Sequence, residues 1–293
     1  MKRLIFFTFL LIITGSCSSS PGVSAPSPKI TAYIQNKGSD TIVNLALAWA
    51  EAYQTLKPEV SISVTGGGSG TGIAALINGT VDIANASRQI SPDETQQAKA
   101  KGINPVEFVI ARDAIAVIVN PHNPINQLTL QQISDIYSGK INNWQGVGGE
   151  NRPIVRLSRE TNSGTHVYFL DNVIRLGEKS NKTLFSMDTL LLPSSEGIIA
   201  ELRDNPNAIG YDGLGYVPHD GSVKVIAVAT HPAAPYVLPS IQTVNDKSYP
   251  IARDLYMYTA GDPVGEVKIY VDWVINSSAA QKIVSTLGFV PIK

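Results

Sequence analysis

Cysteine is nearly absent: the 293 residues contain one, Cys17, so an intrachain disulfide and a cysteine metal site are both excluded. Histidine is almost as scarce, and His122, His166, His219 and His231 show no metal-ligand spacing. No charge of one sign dominates, with 23 Lys and Arg against 24 Asp and Glu and a formal charge of −1. That balance gives no global field for nucleic acid or for an acidic membrane surface. Neither Ser69 nor Ser163 sits in a G-x-S-x-G elbow, which removes the commonest serine-nucleophile signature. Internal repeats and low-complexity tracts are missing from the body of the chain. What remains is ordinary globular composition, 43% hydrophobic and 16% charged, with 24 Gly and 18 Pro. The length suits one large domain or two lobes, and either can bury a substantial core.

The amino terminus reads as a targeting segment. Lys2 and Arg3 precede an apolar run from Leu4 to Ile13, too short for a membrane span and right for the core of a signal peptide. Thr14-Gly15-Ser16-Cys17 resembles a bacterial lipobox, which makes Cys17 the expected lipid attachment point after removal of residues 1–16. Residues 17–28, rich in Ser and Pro, suit a flexible tether to the membrane. The expected location is exported, in the periplasm or at the cell surface, anchored by lipid.

The chain is organised around Thr65-Gly66-Gly67-Gly68-Ser69-Gly70-Thr71-Gly72. It follows the alternating run Ser61 to Val64 and precedes Ile73 to Asn78, which reads as a short helix stopped by Gly79. Glycine lets a ligand approach the backbone, and the first amides of a helix have no internal partner. With the helix dipole added, such a corner binds an anion. A plain tight turn is the alternative. The same construction occurs earlier, where the strand Ile30 to Ile34 runs through Gly38-Ser39-Asp40-Thr41 into a helix over Ile42 to Leu56. A third short strand, Val81 to Ala84, ends in Asn85-Ala86-Ser87-Arg88, and Ser91-Pro92 opens another helix. Three successive strand ends thus present small polar residues, where open α/β sheets hold their ligands.

Val106 to Val119 is strongly apolar, broken only by Arg112 and Asp113, and reads as a long buried strand or a pair of strands. Beyond the break at Asn120 to Pro124, Leu128 to Tyr137 is helical. The strand Ile154 to Ser158 then delivers Arg159-Glu160-Thr161-Asn162-Ser163-Gly164-Thr165 to a helix over His166 to Ile174. A guanidinium grips phosphoryl oxygens with a fixed fork of donors, and Ser-Gly-Thr adds hydroxyls and free amides. One such corner in each half points to an oxyanion held between lobes. Further on, Gly197 to Asn205 reads as a helix, Ala208 to Tyr211 and Val223 to Val228 as strands, and Ile251 to Tyr258 as a strand despite Arg253 and Asp254. Residues 231–250 read as irregular, and two helices close the chain.

The ordered set of these stretches, with Tyr137-Ser138-Gly139-Lys140 to Trp144, resembles the phosphate-binding proteins of bacterial ABC phosphate transporters over about residues 30–290. The resemblance implies an α/β, two-lobed periplasmic-binding-protein fold of type II with the ligand cleft between lobes. It places lobe one at 29–119 plus 229–293 and lobe two at 120–228. It implies inorganic phosphate as ligand, no cofactor, no metal, no catalysis, a monomer, and the permease subunits of an ABC transporter as partners. By motif position the phosphate contacts are Ser39, Asp40, Thr41, Ser69, Gly70, Ser87, Arg88, Arg159, Ser163, Gly164 and Thr165. Ser87 stands where the family often has an aspartate that accepts the phosphate proton; Asp40 is the candidate for that role here.

Two other classes stay open on the residues alone. Gly70-x-Gly72-x-x-Ala75 is a weak dinucleotide fingerprint, and Arg88 could meet a 2′-phosphate, as in an NADP-dependent oxidoreductase. A binding protein for sulfate, molybdate or a phosphonate, or a surface lipoprotein that senses phosphate or adheres without a transport role, would carry the same corners.

Overall fold

The computed structural model describes residues 29–293, so the expected signal peptide, Cys17 and the tether lie outside the described residues. The first sheet half forms from strands whose apolar positions face helices on both sides. β1 (Ala32–Gly38) lies between β2 (Val60–Thr65) and β3 (Ile83–Ala86), parallel to both. Their connections are α1 (Asp40–Leu56) and α2 (Ser69–Ile77). In α1, Ile42, Leu45, Ala46, Trp49, Ala50 and Tyr53 recur at helical spacing and are all buried. That stripe packs with Ile34, Val60 and Ile83 of the sheet, and the Trp49 indole donates to the Ala280 carbonyl at 2.9 Å. On the other face, Ile73, Leu76 and Ile77 of α2 pack with Ala84 and with α3 (Pro92–Ala100), which starts on a Ser91–Glu94 capping box.

The run Val106 to Val119 forms one strand, β4 (Val106–Val119), that serves both halves. Up to Ala114 it pairs antiparallel with β10 (Ala252–Thr259), which in turn pairs with β3. From Ile115 onward it pairs instead with β8 (Ala208–Gly213) and β9 (Lys224–Ala229). The second half is completed by β5 (Gln127–Thr129) beside β9 and by β6 (Val155–Arg159) between β8 and β7 (Leu190–Leu192). Its helices are α4 (Leu130–Tyr137), α5 (Gly164–Phe169), α6 (Ser195–Asp204) and α7 (Ile241–Asn245), while α8 (Gly265–Asn276) and α9 (Ser278–Thr286) return to the first half.

Local differences from the sequence expectation have simple causes. The helix expected from Leu128 begins at Leu130, because Thr129 spends its side chain as the cap of α4 and its backbone on β5. The helix expected over His166 to Ile174 changes to a π-helical turn at Leu170–Ile174. Residues 231–250, expected to be irregular, contain α7, nucleated by a Ser240–Thr243 capping box.

Candidate functional site

Three helix starts converge where the sheet halves meet. α1 is preceded by Ser39 and α2 by Gly68, and neither position makes a side-chain cap bond; the Gly70 amide of α2 is spent on Asn162, leaving the other first-turn amides uncapped. Gly68 must be glycine on two counts: its φ is 93°, and a Cβ there would sit 2.8 Å from the Asn162 carbonyl oxygen of the facing half. Across that contact the Gly70 amide donates to the same carbonyl at 3.1 Å, and the Asn162 amide group donates to the Gly67 carbonyl at 3.0 Å. The glycine loop and the turn ahead of α5 are thereby clasped together.

Inside the clasp lies a cluster of buried hydroxyls. Ser39, Thr41, Ser69, Ser87, Ser163 and Thr165 are each at most 3% exposed. Ser69 Oγ accepts from the Ser87 amide at 3.0 Å and lies 3.3 Å from Ser87 Oγ. Thr41 Oγ1 and Thr165 Oγ1, from opposite halves, are 2.8 Å apart. Gly164 closes the cluster, since a Cβ on it would stand 2.3 Å from Ser69 Oγ and 2.6 Å from Ser87 Oγ. Of the expected contacts, Thr41, Ser69, Ser87, Gly164 and Thr165 are therefore brought together, while Ser39 is buried ahead of α1 and donates its amide to the Asn85 carbonyl at 2.9 Å. Ser163 caps α5 by accepting from the Thr165 amide at 3.2 Å, and Gly70 spends its amide on Asn162.

The charged residues sort differently. Arg159 is buried at the rim, where it donates to Leu192 O, Ser195 Oγ, Pro193 O and Asp40 Oδ2. A guanidinium has five N–H groups, so one Nη1 hydrogen remains, on the side of Asp212 Oδ2 at 3.8 Å. Asp40 Oδ2 also accepts from the Ser195 amide at 3.2 Å, so this carboxylate is engaged in joining α1 to α6. Arg88 pairs with Glu94 through two bonds of 2.7 Å and donates to the Gln89 carbonyl, with its Nη2 beside Gly70 and its buried Nε without a hydrogen-bond partner. It lines a groove of about 1320 Å³ on one flank of the boundary, with Arg112, Tyr168, Arg175 and Lys179.

Three charged residues that the sequence analysis did not place in the site lie buried beside these groups. Asp113 and Arg253 face each other across the β4–β10 ladder, 2.9 Å apart and almost fully buried. Arg253 also donates to Ser87 O and to Thr165 Oγ1, both at 2.9 Å. Asp212, at the end of β8, accepts from the Gly213 amide through Oδ1, while its buried Oδ2 has no hydrogen-bond partner. Burial pushes the Asp212 carboxyl up to about 6, against the pull of the Arg159 guanidinium, the Gly213 amide and the nearby Ser195 hydroxyl. Burial also raises the Asp113 carboxyl, opposed by Arg253. The signals available in sequence were the charges interrupting the apolar runs 106–119 and 251–258, and the Asp after Tyr211. Among the described residues no group of His, Cys, Asp and Glu could hold a metal ion, and no helix is long and apolar enough to cross a membrane.

A family model described as a PBP superfamily domain matches residues 23–278. The chain is 29% identical over 315 residues to the phosphate-binding protein PstS of Pseudomonas aeruginosa, covering 100% of this chain and 95% of that protein. It is 30% identical over 272 residues to protein SphX of Synechococcus elongatus, covering 89% and 78%. Among solved structures it superposes, with a TM-score of 0.77 and 33% identity, on a candidate phosphate ABC transporter substrate-binding protein from Clostridium perfringens with bound phosphate, covering 89% of this chain and 100% of that one.

Proposed function

The chain belongs to the PBP superfamily, among its PstS-like phosphate-binding members, and from that premise we propose that it captures inorganic phosphate between its two sheet halves and delivers it to an ABC importer. The observation that carries this reading is the approach of Gly164 to the Ser69 and Ser87 hydroxyls across the boundary. Desolvating a phosphate is costly unless nearly every oxygen gains a partner. The α1 and α2 starts supply one set of donors and the α5 start the other, so closure is favoured when the anion bridges both. Ser39, Thr41, Ser69, Ser87, Gly164, Thr165 and the free Arg159 hydrogen form the proposed cradle; Asp40, Gly70 and Ser163 hold it in shape, and Arg88 stands outside it. The hinge of the two lobes is taken to run through β4 and the segment entering β10. No step of bond making or breaking is assigned.

Asp212, rather than Asp40, is the acceptor this reading assigns to the proton of hydrogen phosphate. Its bare Oδ2 is satisfied by a ligand O–H and left facing a lone pair by sulfate, a mismatch of about 1–3 kcal/mol or more. The chain is taken to act outside the cytoplasm, tethered by a lipid on Cys17, as a monomer that docks on permease subunits. Thermal shift against a panel of oxyanions tests the assignment. Phosphate raises the melting temperature in proportion to the logarithm of its concentration over its Kd, and sulfate, molybdate and methylphosphonate at equal concentration do not. Equal stabilisation by sulfate overturns it.

A further inference from the structure

Arg253 and Asp113 are not among the cradle donors assigned above, yet they form a deeply buried ion pair that touches two of them. Arg253 Nε and Nη2 hold Asp113 Oδ2 at 3.3 and 2.9 Å, and the Leu214 amide donates to Oδ1 at 3.2 Å. Of the three remaining N–H groups, one on Nη1 goes to Ser87 O and one on Nη2 to Thr165 Oγ1, reaching into both halves, and one on Nη1 is left without a protein acceptor. The Tyr168 ring lies 5.7 Å from the guanidinium carbon and covers it on the groove side.

A hydroxyl has one proton and two lone pairs. Arg253 fills one lone pair of Thr165. The 2.8 Å bond between Thr41 and Thr165 consumes one proton and one further lone pair, whichever of them donates. If Thr41 donates, Thr165 is full as an acceptor and can only give its own proton. If Thr165 donates, Thr41 keeps a proton to give. Either way one hydroxyl hydrogen is left over to give to a third partner. Without Arg253, Thr165 regains a lone pair and accepts from water or from a protonated ligand as readily as it donates.

We propose, resting on the phosphate-binding reading, that Arg253 is a positioning residue that fixes the Thr41–Thr165 pair as a donor toward a bare oxyanion oxygen. The guanidinium charge also polarises the hydroxyl chain and strengthens the outgoing bond. Asp113 holds the fork in its plane, so a lysine, with one point charge, cannot fill Thr165 and grip Ser87 and Asp113 together.

The experiment is a double-mutant cycle in phosphate affinity, read by calorimetry on the wild type, Arg253→Gln, Thr165→Val and the double variant, with Thr165→Ser as the conservative control. The proposal expects each single loss at about 10- to 100-fold, Thr165→Ser near wild type, and the double variant within about threefold of the worse single. Arg253→Lys is expected to bind no better than Arg253→Gln. Losses that multiply, or a lysine that restores affinity, overturn the positioning role and leave the phosphate assignment standing; a wild type that binds no phosphate overturns both. Should Arg253→Gln strand the Asp113 carboxylate and unfold the chain, the neutral pair Asp113→Asn with Arg253→Gln carries the same cycle, read the same way.

Discussion

The hydroxyl chamber and the flank groove lie side by side at the same boundary and share Arg253, yet they differ in every property that matters for an anion. The groove has about 1320 Å³ of space and many charges, but those charges are mostly spoken for: Arg88 by Glu94, Arg112 by Asp254, Arg175 by Asp171. The hydroxyl chamber is closely packed, but its donors are buried and Asp212 Oδ2 beside it has no hydrogen-bond partner, with Arg159 Nη1 at 3.8 Å. Partly exposed ion pairs contribute little and are screened by salt, whereas a desolvated, unpaired donor gains the full strength of a charge-assisted bond. On the proposed reading, volume does not mark the site; unspent hydrogen-bonding capacity does.

The comparison breaks most readily at Gly164. Gly164→Val places carbon where the Ser69 and Ser87 hydroxyls stand, so calorimetry on this variant is expected to show phosphate binding weakened more than about 100-fold, and overpacking of about 1–3 kcal/mol is expected to lower the melting temperature of the phosphate-free protein as well. Retained affinity would place the anion elsewhere.

Asp212 gives the next largest effect, and it depends on pH. Its pKa is raised to about 6, so the group carries a proton below that pH and is a carboxylate above it. As an acid it can donate to an unprotonated oxyanion, so sulfate is expected to compete with phosphate at pH 5 and not at pH 8. The sign for stability follows: a raised carboxyl pKa favours the folded state on the acid side, and that contribution is lost as pH rises through about 6. Asp212→Asn, whose amide donates at every pH, is expected to admit sulfate at pH 8 and to flatten this part of the stability profile.

Smaller effects sharpen the boundary between the two regions. Asn162→Ala removes the amide bond to Gly67 but keeps the backbone bond to Gly70, and stopped-flow release of phosphate is expected to quicken about three- to tenfold. In the groove, Lys179→Gln with Lys247→Gln is expected to change phosphate affinity less than about twofold at physiological salt, read by the same titration. A large loss there would mean that the groove, not the chamber, holds the anion.

Much of the chamber was legible because it is built from local signals. Ser39, Ser69 and Ser163 to Thr165 each follow a strand pattern and precede a helix pattern, and glycine marks where backbones approach. The charged residues were not legible in the same way. Arg253 and Asp113 are 140 residues apart, and only the register of β10 against β4 makes them partners. In sequence they look like blemishes in apolar strands. Arg88 shows the opposite case: it adjoins Ser87 in the chain, and Glu94 on the next helix takes it in a two-bond pair that the sequence does not announce. Asp40 looked like a free acceptor until the fold brought Arg159 and Ser195 against it. The α/β class and the strand–loop–helix order follow from periodicity, whereas the sharing of β4 by both halves depends on pairings no window of sequence contains.

The most direct test is a calorimetric titration of the wild-type chain, residues 29–293, with orthophosphate and then with sulfate at pH 8. The account predicts one phosphate per chain and no heat from sulfate. No phosphate binding, or sulfate bound as tightly as phosphate, would contradict it.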